Sequence, residues 1–211
     1  FPQREIGRKA LSSALHPGAR GVRLGAMTSH PGATILAHGG KTPRIHETAF
    51  IAPGARLIGD VEIGPRASIW YNCVLRGDLN RSVVSARSNV QDGTVSHVED
   101  WQGGDPGLPT LIGEDALVGH MAILHGCIVE DRAFVGMGSV VMDAARIEQS
   151  GMLAAGALLA PGRVIPPAQL WAGRPARYMR DLARAQLEQM RLQTAKYLAL
   201  AESHLATRTN T

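Results

Sequence analysis

Large aliphatic residues recur every six positions along most of this 211-residue chain. They fall at Ile45, Ile51, Leu57, Ile63, Ile69 and Leu75, then at Val84 and Val90, then at Ile112, Val118 and Leu124. After one five-residue step the series resumes at Val129, Val135, Val141, Ile147, Leu153, Leu159, Ile165 and Trp171. Neither the 3.6-residue helical period nor the two-residue strand period produces a strict six, whereas a hexapeptide solenoid does. Each hexad is one short strand and a turn, with its large residue pointing inward. Three hexads make a triangular coil of about 18 residues, and coils stack at roughly 4.8 Å. The span from Ile45 to Trp171 predicts about seven coils in a prism on the order of 34 Å long. An interior filled by one aliphatic residue per side has little room for rings, and aromatics are only 4% of the chain. The 24 glycines are expected to supply the tight corners.

The two ends of the chain depart from the repeat. Residues 1–26 carry Arg4, Arg8, Lys9, Arg20 and Arg23 against Glu5 alone, a net of +4 that equals the charge of the whole chain. The rest is therefore close to neutral, which argues against a nucleic-acid groove. A disordered basic tail is expected over 1–30. Two origins fit it. Being Arg-rich, Ser-containing and poor in acids, it suits a transit peptide, while the polar, Pro-containing sequence directly after Met27 favours upstream sequence before a start there. No stretch approaches the roughly 18 apolar residues of a membrane span, so the expectation is a soluble, cytoplasmic protein. The repeat domain is expected over 34–174. Pro175, then Met179, Leu182, Leu187, Met190, Tyr197, Leu198, Ala201 and Leu205 at helical intervals, predict a helix over 175–206 packed on the prism. Cys73 and Cys127 sit far from any C-x-x-C pattern and read as reduced, structural thiols.

The chemistry lies between the hexad blocks. There the sequence runs Trp70-Tyr71-Asn72-Cys73-Val74-Leu75-Arg76-Gly77-Asp78, then Ser88-Asn89-Val90-Gln91-Asp92-Gly93-Thr94-Val95-Ser96-His97, then Gly119-His120-Met121-Ala122-Ile123-Leu124-His125-Gly126-Cys127. Together, in this order and on this repeat, these segments closely resemble the gamma-class carbonic anhydrases, over about residues 34–185. The resemblance implies an all-β solenoid, a left-handed parallel β-helix with a C-terminal α-helix. That handedness reverses the usual crossover rule for parallel strands.

Hexad position bears independently on a metal site. His97 follows Ser96, which keeps the register of Val84 and Val90, and His125 follows Leu124, so both occupy one hexad position and point outward along one edge. His120 lies two residues beyond Val118, on a different strand and side of the triangle, where it does not easily meet the other two within one chain and a neighbouring subunit can bring it in. Three histidines at one site match an open tetrahedral arrangement with a fourth position for water. The expectation is a homotrimer with one site per subunit interface, using His97 and His125 of one chain and His120 of the next. Gamma-class enzymes are built this way and hold Zn²⁺ or Fe²⁺, between which imidazole ligands do not discriminate.

The implied activity is the hydration of CO2 to bicarbonate by hydroxide generated at the metal. By resemblance, Gln91 orients that hydroxide and Asn89 helps to place CO2 or bicarbonate. Arg76 and Asp92 pair across the subunit interface, Arg76 also holds the anion, and Asp78 completes the network. Leu79 stands where the prototype of the class carries an acidic residue. The insertion Val98 to Thr110 offers Glu99, Asp100 and Asp105 on what reads as a shorter, looser loop, which resembles the subclass lacking the acidic loop. Two alternatives share the fold: an acyl-CoA thioesterase or acyltransferase, and a non-catalytic metal-binding scaffold. A single catalytic histidine would serve the first, and it has no use for two more in register.

Overall fold

The computed structural model describes residues 30–100 and 106–208. The expected basic tail, apart from His30, lies outside the described residues, as does Asp105. Within them the chain is a parallel β-solenoid of about seven turns, arranged as a left-handed β-helix, with a single C-terminal helix. One face is a sheet running from Phe50–Ile51 through Ser68–Ile69, Asn89–Val90, Leu117–Val118, Phe134–Val135 and Met152–Leu153 to Gln169–Gly173. The other two faces form one continuous sheet, because the long strands Arg56–Ile63 and Val74–Val84 bend around their shared corner.

Register explains the core. Ile51, Ile69, Val90, Val118, Val135, Leu153 and Trp171 stack on the first face, and Ile63, Val84, Ile112, Val129, Ile147 and Ile165 on the third. On the second, Ser96 takes an inward position between Leu75 and Leu124. It is fully buried, with its hydroxyl 3.4 Å from that of Ser82. The narrow interior accepts a polar residue here because a second hydroxyl faces it.

The corners correct one expectation. Glycine supplies the left-handed residue at Gly54, Gly138, Gly156 and Gly162, but among the described residues nine non-glycine ones hold φ between 54° and 61°, including Asn72, Arg87, Asp115 and Arg132. Such a conformation costs an L-residue roughly 1–2 kcal/mol. Stacking offsets it: Arg87 donates its N–H to Pro65, Asp115 to Ala86, Arg132 to Glu114 and Ser150 to Asp131, each one coil below.

The helix runs from Arg184 to Arg208, so the expected start at residue 175 is wrong by nine positions. The first part of that span is the strand Ala176–Asp181, antiparallel to Gln169–Gly173. An open solenoid end presents unpaired N–H and C=O groups, and this strand pairs them before the helix begins. The helix then returns along the first face. Leu187 and Met190 pack near Phe134, Met152 and Leu170, while Tyr197, Ala201 and Leu205 pack on Phe50 and Trp70.

Candidate metal centre

The candidate residues of one chain fall at two different corners. His97 and His125 end the paired strands Val95–His97 and Ile123–His125 and sit side by side in register on the second face. Nδ1 of His97 lies 3.2 Å from Nε2 of His125, with ring centroids 5.2 Å apart. The far nitrogen of each ring meets a carboxylate, His97 Nε2 at 3.0 Å from Asp78 and His125 Nδ1 at 2.5 Å from Asp143. Asp78 also accepts from Arg76 at 2.5 Å. Burial alone would raise the Asp78 carboxyl, but the hydrogen bonds from Arg76 and His97 outweigh it and hold it down at about 2.

His120 lies elsewhere, just beyond the strand Leu117–Val118 on the first face. A Cβ at the preceding Gly119 would approach Met137 N to 2.8 Å, so a larger residue there would push the coils apart beside His120. Nδ1 of His120 is 2.7 Å from Asp92, and Nε2 is 3.3 Å from the Tyr197 hydroxyl. Asp92 also accepts from the backbone of Tyr71 at 3.2 Å. Asn89 and Gln91 share this face and are both almost fully buried. Gln91 Nε2 donates to Asn89 Oδ1 at 3.0 Å, and Asn89 Nδ2 is left buried without a protein partner.

Thus Arg76, Asp78, His97 and His125 meet at one corner, and Asn89, Gln91, Asp92 and His120 lie on or beside the first face. Two groups escaped the sequence. Tyr197 reads as one more apolar position of the helix stripe, yet its hydroxyl reaches a candidate ligand nitrogen. Burial, then the charge of Asp92, push its phenol pKa up, so it stays protonated and able to donate. Asp143 sits among regular hexads, where only stacking onto the coil of His125 reveals it.

The donor set fits a small divalent ion. Nitrogens bound at about 2.0–2.1 Å to one tetrahedral ion stand about 3.3–3.4 Å apart, close to the spacing seen between His97 and His125. The insertion is tighter at its base than expected. Glu99 and Leu108 exchange backbone hydrogen bonds of 3.0 and 2.9 Å, and Asn80 Nδ2 donates to the carbonyl of Pro106 at 2.8 Å. Glu99 is thereby placed with its carboxylate 3.8 Å from His125 Nε2. Glu99, His125 and Asp143 together form a cluster of metal-capable side chains. Leu79, after Asp78, is 53% exposed and offers no carboxylate.

Comparison with known proteins adds a family context. The repeat family described as bacterial transferase hexapeptide (six repeats) matches residues 42–77. The chain is 44% identical over 164 residues to "Gamma carbonic anhydrase 2, mitochondrial" of Arabidopsis thaliana, a match covering 78% of this chain and 59% of that protein. It spans about three fifths of that plant relative's length. It is 40% identical to the carnitine operon protein CaiE of Escherichia coli, over 75% of this chain and 78% of the relative. The crystal structure of a hexapeptide transferase family protein from Anaplasma phagocytophilum superposes with a TM-score of 0.75 at 42% identity, covering 81% of this chain and 97% of that one. The plant relative is named as mitochondrial, whereas the sequence alone suggests a cytoplasmic protein. Among the described residues no helix is long and apolar enough to cross a membrane.

Proposed function

The chain belongs to the hexapeptide-repeat family of the gamma-class carbonic anhydrases, and from that premise we propose that it catalyses the reversible hydration of CO2 to bicarbonate as a metal-dependent homotrimer. One observation carries this reading. Two imidazoles face each other at 3.2 Å on one corner while a third, braced by its own carboxylate, waits on another. A three-fold assembly would set the His120 corner of one subunit against the His97 and His125 corner of the next. The second face supplies apolar surface for such contact, with Val95, Met121 and Ile123 at 41%, 67% and 45% exposure on it or at its edge.

Zn²⁺ or Fe²⁺ bound there would supply a hydroxide nucleophile at neutral pH. The chain's own groups do the rest. Gln91, Asn89 and Tyr197 arrive with His120, so the residues that orient nucleophile and substrate come from one subunit and two of the three ligands from the other. The orphaned Asn89 Nδ2 is a donor that a CO2 or bicarbonate oxygen would satisfy. Arg76, at the opposing corner, balances the anionic product and would pair with Asp92 of the neighbour once the subunits meet.

The test is stopped-flow CO2 hydration by anaerobically purified protein loaded separately with Fe²⁺ and Zn²⁺. His97→Ala and His120→Ala homotrimers should both be inactive. Mixed trimers of the two variants should recover part of the activity, because His97 and His125 of one chain then meet His120 of the other. No recovery, with mixed trimers demonstrably formed, would sink the shared site. The Anaplasma structure is named for a transferase family, which leaves room for a second reading, group transfer on the same fold, here taken as acyl transfer from CoA without a metal. Acyl-CoA turnover by metal-stripped protein with no hydration by the loaded one would favour it.

A further inference from the structure

Each of the three candidate ligands has one carboxylate within hydrogen-bond distance of a ring nitrogen: Asp78 on His97 at 3.0 Å, Asp92 on His120 at 2.7 Å and Asp143 on His125 at 2.5 Å, with Glu99 farther off at 3.8 Å from His125 Nε2. The pattern arises from stacking. Met121, next to His120, donates its N–H to the Asp92 carbonyl, and Ala144, next to Asp143, donates to the Gly126 carbonyl beside His125. Carboxylate and imidazole therefore occupy neighbouring coils at one corner, held by the same backbone bonds that build the solenoid. We propose that Asp143 is a positioning residue for His125: it accepts the Nδ1 proton, fixes the ring as the Nδ1–H tautomer and so delivers Nε2 as the ligand atom. The inference rests on the metal-site reading above.

The consequence lies in the gap between the two rings. A neutral imidazole has one N–H. With that of His125 given to Asp143 and that of His97 given to Asp78, the nitrogens facing each other at 3.2 Å both present lone pairs with no proton between them. Such an arrangement is unfavourable when empty and favourable around a cation. The paired carboxylates thus prepare the corner for a divalent ion before any partner subunit contributes His120. Asp143 is itself a member of the cluster with Glu99 and His125. Its Oδ1, however, already lies at hydrogen-bond distance from Nδ1 and so suits acceptance of a proton better than shared ligation.

The decisive measurement is made on metal-free protein. Two-bond 15N–1H correlation spectra of the imidazoles should show His125 as the Nδ1–H tautomer in the wild type and as a tautomer mixture in Asp143→Ala and Asp143→Asn. Zn²⁺ affinity, from competition with a chromophoric chelator, should fall about 10–100-fold in both variants and recover in part in Asp143→Glu. The isosteric Asn variant and a circular dichroism spectrum guard against simple unfolding. An unchanged tautomer with affinity within twofold of wild type would overturn the proposal, as would an Nε2–H tautomer, which would make Nδ1 and Asp143 joint ligands. Failure of the wild type to bind Zn²⁺ would instead count against the metal site, while the spectra would still decide the tautomer.

Discussion

The coils below and above Val118 are built from one repeat and yet differ in regularity and in the candidate residues they carry. On the third face the upper coils keep a near-constant rise in sequence, Ile112 pairing with Val129, Val129 with Ile147 and Ile147 with Ile165. Below them Ile63 pairs with Val84 and Val84 with Ile112, steps lengthened by the corner strand at Arg76 to Asn80 and by the insertion after His97. Arg76, Asp78, Asn89, Gln91, Asp92, His97 and Glu99 all come from the lengthened coils. The regular coils contribute rigidity, together with His120, His125 and Asp143 where they adjoin them. Strict repetition makes every corner alike, so a specific site needs the places where repetition is broken.

Leu153→Ala should probe the regular half most severely. Leu153 is fully buried between Val135 and Trp171, and its truncation should cost about 2–5 kcal/mol of stability by urea unfolding while leaving Zn²⁺ stoichiometry unchanged in the folded fraction. Loss of metal at unchanged stability would erase the division between the two halves. Tyr197→Phe probes the candidate site, where the two halves adjoin, by the opposite signature. The ring keeps its edge-on packing against Trp70, at 5.5 Å between centroids, and loses only the hydroxyl facing His120. Hydration should fall about tenfold, the worth of one hydrogen bond, with the melting temperature preserved. A variant that unfolds more readily but hydrates CO2 normally would return Tyr197 to a packing role.

The two cysteines give the mildest and most local comparison. Burial pushes the thiols of Cys73, in the lower half, and Cys127, in the upper, both up to about 12. Unfolded thiols ionise near 9, so the neutral buried forms contribute stability in full below that pH, and it is lost as pH rises from about 9 towards 12. Neither should react with iodoacetamide at pH 8 faster than the protein opens. Labelling of Cys73 ahead of Cys127, located by mass spectrometry, would show that the lengthened coils open first and sharpen the contrast. Equal rates would make the solenoid one cooperative unit.

The period of six was enough to read the solenoid, its inward residues and the common register of His97 and His125, since each hexad carries that information locally. The five-residue step between Leu124 and Val129 did not hide it, because the pattern resumes at once. The motifs singled out Gln91, Asn89 and the three histidines by residue type and order. Only the tertiary structure decided what each of them touches. The strand Ala176–Asp181 replaced the start of the expected helix because an open sheet end lay in space beside it, a fact absent from the local pattern. Asp143 and Tyr197 joined the candidate site for the same reason. One arrives by stacking a coil onto His125 and the other by the return of the helix along the first face, from 77 positions away in sequence. Side-chain period is a property of neighbours along the chain, whereas tautomer, hydrogen-bond partner and ligand geometry belong to neighbours across coils.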